Sequence, residues 1–159
     1  MLKIVSRGQP RLTQERMDTI IDRHYMWLDS DGGEGRCADF SDYDVSGLNF
    51  SGLNLSHAKF IRSKMDGAKF IGTALYQCWI INCSARGIVA TDKAEFRQAE
   101  IKNTNFRYSD LSTADFIESS IHGCDFTVCK LEGADFRFAR IGSTEIYCRR
   151  ADFRGVVYV

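Results

Sequence analysis

From Ala38 onward the chain repeats a beat of five residues. Ala38-Asp39-Phe40-Ser41-Asp42 is followed by Tyr43-Asp44-Val45-Ser46-Gly47, Leu48-Asn49-Phe50-Ser51-Gly52 and Leu53-Asn54-Leu55-Ser56-His57. The beat is still plain at Ala114-Asp115-Phe116, Ala134-Asp135-Phe136 and Ala151-Asp152-Phe153. Five matches neither the 3.6-residue helical period nor the two-residue strand period. A short fixed period instead marks a solenoid, in which each unit buries its apolar side only against its neighbours.

Each block has a large apolar centre. Centres run Phe40, Val45, Phe50, Leu55, Phe60, Met65, Phe70, Leu75 and Ile80, then resume at Phe96, Ile101, Phe106, Leu111, Phe116, Ile121, Phe126, Leu131, Phe136, Ile141 and Ile146. Two positions earlier sits a small residue, such as Ala58, Ser63, Thr73, Cys78, Cys83, Ala99, Cys124, Cys129 or Ala139. The large residue fills an axis and the small one lets the walls close on it.

These blocks resemble the pentapeptide-repeat family, whose unit approximates Ala-(Asp/Asn)-(Leu/Phe)-X-X. The resemblance covers about three quarters of the chain and recurs over about twenty blocks. It implies an all-β solenoid: a right-handed quadrilateral β-helix with four blocks per coil. Every fourth centre then stacks. One wall carries Phe40, Phe60, Ile80, Ile101, Ile121 and Ile141, the opposite one Phe50, Phe70, Leu111, Leu131 and Phe153, and a third Leu55, Leu75, Phe96, Phe116 and Phe136. About six coils at strand spacing give a rod of about 28 Å.

Two slips break the beat, one residue too many between Ile88 and Lys93 and two too many between Thr144 and Arg150. Outward loops are expected at Thr91–Lys93 and Cys148–Arg150. Tyr43, Leu48 and Leu53 put large residues in the small slot, which predicts a wider or looser first coil.

The organisation expected is an N-terminal segment, residues 1–36, and a β-helix over 37–159. Leu12 to Leu28 reads as an amphipathic helix with Thr13 as N-cap and Leu12 stapled on Met17. Met17, Ile20, Ile21, His24, Trp27 and Leu28 form its apolar stripe, and Asp31-Gly32-Gly33 ends it. Covering the open first coil is its simplest role, since an uncapped solenoid exposes apolar side chains and strand edges; docking another protein is the alternative. The lead-in His24…Trp27-Leu28…Gly35, then Cys37-Ala38-Asp39-Phe40, resembles that of many bacterial members of the family. At the other end Val156, Val157, Tyr158 and Val159 are β-prone and uncapped, so a homodimer through them is expected as readily as self-sealing.

Several classes are set aside. No apolar stretch is long enough to span a membrane, and the N-terminus lacks a signal-peptide pattern, which points to a bacterial cytoplasmic setting. Four of the cysteines (Cys78, Cys83, Cys124 and Cys129) occupy the small slot and read as core residues, not as metal ligands. Cys37 and Cys148 fall outside it and are the better candidates for reactive thiols. The row Glu95, Asp115, Asp135 beside Arg97 and Arg137 reads as solvated ion pairs, not as a catalytic or metal site. His24, His57 and His122 are placed in different parts of the rod, and a filled convex rod offers no pocket, so no enzyme, cofactor or metal is expected.

What remains is binding. Lys59, Ile61, Trp79 and Ile81 fall on one outer face in neighbouring coils, with Tyr76 and Ile71 around the corner. An exposed Trp among isoleucines and a lysine has the makeup of an interface core. A non-catalytic scaffold for a protein partner, contacting Trp79, Ile61, Ile81, Lys59 and Tyr76, is the first expectation. The resemblance implies a second, a DNA-mimicking modulator of type II topoisomerases such as gyrase, and a further alternative is an accessory or immunity partner of a bacterial effector. A DNA mimic needs a strongly negative surface, whereas this chain carries 21 acidic and 21 basic residues. The same balance gives no reason to expect direct nucleic-acid binding.

Overall fold

The computed structural model describes residues 8–144, Arg154 and the backbone of Val157–Tyr158. One helix, α1 (Gln14–Asp29), precedes six short parallel strands: β1 (Lys59–Ile61), β2 (Trp79–Ile81), β3 (Glu100–Lys102), β4 (Ser120–His122), β5 (Arg140–Gly142) and β6 (Val157–Tyr158). They form one sheet in sequence order, each strand paired to the next coil. This sheet is the first wall. The other three walls carry single bridges, Asp44↔Lys64↔Ser84↔Asn105↔Asp125, Asn49↔Lys69↔Val89↔Asp110↔Lys130 and Asn54↔Ala74↔Glu95↔Asp115↔Asp135. The four-sided parallel β-helix is therefore present. On the first wall the register passes through Asp39, Lys59, Trp79, Glu100, Ser120 and Arg140, five steps of one coil each, slightly fewer than the coils expected.

The beat has a direct physical basis. Centres Phe40, Val45, Phe50 and Leu55 are fully buried, and so are their counterparts up the rod. Phe96 and Phe116 stack with ring centroids 4.8 Å apart, and Phe116 and Phe136 at 4.7 Å, which is the coil rise. The Asp or Asn before many centres closes a local turn by accepting the N–H two residues on, as in Asp39 to Ser41, Asn49 to Ser51, Asp115 to Ile117 and Asp135 to Arg137. Polar residues in the small slot donate to a carbonyl of the coil below: Ser63 to Phe40, Thr73 to Phe50, Cys83 to Phe60 and Cys129 to Phe106. This explains why Ser, Thr and Cys alternate with Ala there.

The second residue after each centre turns the corner with positive φ. Glycine serves at Gly47, Gly67 and Gly87, but Gln77, Gln98, Tyr108, Val128 and Phe138 also do so. The slip behaves as expected: Asp92 and Lys93 both have positive φ and are exposed, while Ala90 and Ala94 stay buried. The beat itself continues through Ala85 and Ala90, centres that the sequence reading missed because both are small. Between them Ile88 fills the small slot at 1% exposure, so large and small have traded places and the volume is kept. The loop expected at Cys148–Arg150, the centres Ile146 and Phe153, and Val156 and Val159 lie outside the described residues.

The helix caps the first coil. Thr13 accepts the N–H of Arg16 as N-cap, and Met17, Ile21 and His24 are buried. Leu12 joins the same core, and its N–H donates to Asp44 O at 2.9 Å while Asp44 N–H donates to Pro10 O, so the lead-in adds a rung below the second wall. The first coil is not loose: its centres are fully buried, and Tyr43, Leu48 and Leu53 pack against the core that the helix completes. The helix fills the space these large residues leave open.

His24 clamps this cap. Its Nδ1 accepts the Ala38 N–H at 3.2 Å, and its ring stacks on Trp27 at 5.9 Å. Burial, opposed by a contact with the Asn54 backbone, pulls its pKa below the ordinary 6.5. Acidification therefore protonates the unfolded chain before the folded one, and stability fully present above about pH 6.5 is lost progressively as pH falls from there through the lower folded value. Denaturation midpoints taken between about pH 7.5 and pH 5.5 should fall with pH. His24→Asn should flatten that slope; an unchanged slope would remove the role assigned to this ring.

Candidate protein-binding surface

The first wall differs from the others in geometry. Among the described residues it alone pairs three residues per coil, from β1 to β5, and it lies between a corner without glycine (His57, Gln77, Gln98, Glu118, Phe138) and one that uses glycine only at Gly123 among Asp42, Arg62, Asn82, Asn103 and Ser143. Both flanking corners are tied by polar ladders. Gln77 Nε2 donates to Gln98 Oε1 (2.9 Å) and Gln98 Nε2 to Glu118 Oε2 (2.6 Å), while Asn103 Nδ2 donates to Asn82 Oδ1 (3.1 Å). The result is a narrow extended strip with fixed edges.

The residues expected to meet a partner are gathered on it. Lys59 pairs with Trp79 and Ile61 with Ile81 in adjacent strands. Trp79 is 47% exposed, and the Lys59 ammonium lies 5.2 Å from its ring centroid. Ile61 and Ile81 are half-buried. Tyr76 stands across the corner, its hydroxyl donating to Gln98 Oε1 at 2.8 Å. It also meets the edge of His57 at 6.0 Å, and His57 meets Trp27 at 5.7 Å. An unbroken chain of rings thus runs from the capping helix to the edge of the strip.

That chain corrects one expectation. His24 and His57 are not far apart: both contact Trp27, because the helix folds back beneath the first coil. His122 does stand apart, on β4. The helix also creates a pocket that a bare rod lacks, a cleft of about 380 Å³ lined by Arg16, Ile20, Arg23, Arg36, Cys37, Asp39, Ser41, Asp42 and Tyr43. Arg16 and Arg23 are seven residues apart on one helical face, but only docking of the helix places Arg36 and Asp39 opposite them.

The thiols among the described residues are held in the fold. Cys78, Cys83 and Cys124 are buried, and burial pushes Cys83, Cys124 and the half-buried Cys129 up to about 11. Cys37 is no better placed to react: it donates to the His57 carbonyl at 3.2 Å, and burial raises its pKa as well. Cys148 lies outside the described residues. The acidic row Glu95↔Asp115↔Asp135 exists, and its arginines answer it: Arg137 binds Asp135 at 2.7 Å and Arg97 lies 3.8 Å from Asp115. Among the described residues no cluster of His, Cys, Asp and Glu could hold a metal ion, and no helix is long and apolar enough to cross a membrane.

Besides Met26 on the helix, three exposed apolar residues of the described β-helix escaped the sequence reading: Tyr108, Val128 (64% exposed) and Phe138. These three sit at left-handed corners with φ of 65°, 59° and 60°, a conformation that β-branched and bulky residues rarely take. Their position two residues after a centre was the available signal.

A family model for pentapeptide repeats matches eight copies over residues 36–84 and 94–133, more than half of the chain. This chain belongs to the pentapeptide-repeat family. No curated protein sequence matches it. Among solved structures, a trypsin-treated variant of QnrB1, described as a plasmid-mediated fluoroquinolone resistance protein, is 19% identical over 78% of this chain and 76% of that one, with a TM-score of 0.50. Full-length QnrB1 is 17% identical over 78% of each chain with a TM-score of 0.48. The pentapeptide-repeat protein Rfr23 from the cyanobacterium Cyanothece 51142 is 11% identical over 87% of this chain and 95% of that one, at 0.35. At such identities the likeness to these pentapeptide-repeat proteins concerns the fold.

Proposed function

We propose that this pentapeptide-repeat protein is a non-catalytic binding protein whose first wall holds a protein partner through Trp79, Ile61, Ile81, Lys59 and Tyr76. One observation carries the reading: a half-exposed tryptophan lies on the one wall of three-residue strands, flanked by isoleucines and held by a lysine. Interfaces concentrate their energy in such aromatic anchors. The frame suits the role, because its backbone is bonded coil to coil and its core of stacked rings leaves little freedom to rearrange.

A photo-crosslinking residue at position 81 should capture a discrete partner. Trp79→Asp should weaken that partner at least about tenfold, while Val128→Asp, on another corner, should not. Equal capture by wild type and Trp79→Asp would move the interface elsewhere.

DNA mimicry draws less support. Acids of the outer rows are met by bases from neighbouring coils, Asp42 by Arg62, Asp44 by Lys64, Asp110 by Lys130 and Asp125 by Arg107, so the surface alternates in sign. The homodimer remains a proposal of the same kind. Backbone pairing of β6 with β5 places Val157 and Tyr158 on the last strand of the sheet, where a second copy would add.

A further inference from the structure

The foot of the first wall departs from the neutrality of the chain as a whole. That foot is the cleft under α1, where Arg16, Arg23 and Arg36 face Asp39 and Asp42. The two acids do not cancel the three arginines. Asp42 is gripped by Arg62 through Nε and one terminal nitrogen, both at 2.7 Å, and Asp39 accepts the Ser41 N–H at 3.0 Å. Arg16 is turned to the Tyr43 hydroxyl. Among the described residues Arg23 and Arg36 have no ion-pair partner. One rung above the cleft comes Lys59, bridged to Asp39. At the far end of the same wall His122 and Arg140 line a second, shallower depression. Glu100 between them is neutralised by Lys102. Along the wall acids and bases balance, with Glu118 on the flanking corner accepting from Gln98, and further acids stand on exposed helix positions such as Glu15, Asp18, Asp22 and Asp29. The strip is thus apolar at Trp79 and Ile81, with a cationic cleft at its foot.

We propose that the partner presents an acidic segment to this wall, a large apolar side chain seated on Trp79 and Ile81 and carboxylates reaching Arg23 and Arg36. The inference rests on the reading of this wall as a binding face and adds the chemistry of what binds. The geometry sets a spacing. Asp39, in the cleft, and Trp79 are two rungs apart, about 10 Å at strand separation, and an extended chain covers that in about three residues. A carboxylate about three residues from the apolar anchor is therefore the recognised pattern. Unpaired guanidiniums suit it, since each offers a fork of donors that matches a carboxylate. The charge component steers encounter and is screened by salt.

A random dodecapeptide library displayed on phage, selected against the full chain, tests this. Wild type should enrich peptides of net negative charge with an acid two to four residues from a large apolar side chain, a window set by about 3.3 Å of rise per residue. A synthetic copy of the strongest peptide should bind Arg23→Gln/Arg36→Gln at least about tenfold more weakly, and more weakly still in raised salt. Both arginines are exposed, so the double variant should fold as wild type by circular dichroism. Peptides that depend on Trp79 but not on the arginines, or that are neutral or basic, would overturn the acidic-segment proposal and leave the binding face standing. Peptides indifferent to Trp79→Asp would sink the face itself. Failure to enrich any peptide, with a double-stranded oligonucleotide bound in an arginine-dependent way instead, would overturn both.

Discussion

Phe116→Ala should destabilise the protein by about 3–5 kcal/mol, the largest effect expected of any single core truncation. The ring is fully buried and held on three sides: Phe96 at 4.8 Å below, Phe136 at 4.7 Å above, and Phe126 edge-on at 6.0 Å. A cavity there cannot collapse easily. The backbone of this coil is tied to its neighbours, Phe116 N–H to Asp135 O at 2.7 Å and Phe96 N–H to Asp115 O at 2.7 Å, so the walls cannot close along the axis. The loss also spreads, because a solenoid coil is stabilised chiefly by the coils it touches. Guanidinium denaturation followed by circular dichroism should show a lowered midpoint. A shift no greater than that of Ile121→Val, about 1 kcal/mol, would mean that the phenylalanine column is not what holds the upper coils.

Gly35→Ala should release the cap. Gly35 has φ of +69°, and an added Cβ would overlap the Arg23 carbonyl oxygen and come within 2.7 Å of Met26 Cβ and Trp27 N. The backbone cost of a left-handed alanine, about 1–2 kcal/mol, adds to an overpacking cost of about 1–3 kcal/mol. Relief requires moving α1 away, since the obstructing atoms belong to the helix backbone. That movement breaks the Arg36 N–H to Arg23 O bond and loosens the His24 bond to Ala38. The readout is specific: Trp27 emission should shift to the red and its contact with His57 should be lost, while the upper β-helix keeps its circular dichroism. A variant with unchanged Trp27 emission and stability would show that the close approach at Gly35 is not a constraint. Gly47→Ala, where a Cβ meets nothing within 4 Å, shares the positive φ and not the clash, and so isolates the second cost from the first.

These two sites differ in how visible they were. Phe116 could be placed from the sequence because every fifth side chain must meet the axis, and a four-block coil then fixes which rings stack. Gly35 could be seen only as part of a lead-in. Its need for glycine depends on where a helix some ten residues earlier comes to rest. The candidate surface divides the same way. Trp79, Ile61, Ile81 and Lys59 were legible as neighbours, since register on a wall follows from counting. Tyr108, Val128 and Phe138 were passed over: counting puts them two residues after a centre, but the beat does not say that this position turns a corner and leaves its side chain in solvent. Ala85 and Ala90 hid the continuing beat through size alone.

By itself, then, the order of residues determined the five-residue beat, the buried centres and the helix that covers the first coil, all of which follow from local periodicity and from the need to bury one side of each short block. The four walls, and with them which centres stack, came from the resemblance to the family. Tertiary structure alone decided the arginine cleft, the contact of His24 and His57 with one tryptophan, and the placing of that cleft at the foot of a single wall. Those depend on where the helix docks and which corner each side chain leaves, relations between segments that no repeat encodes.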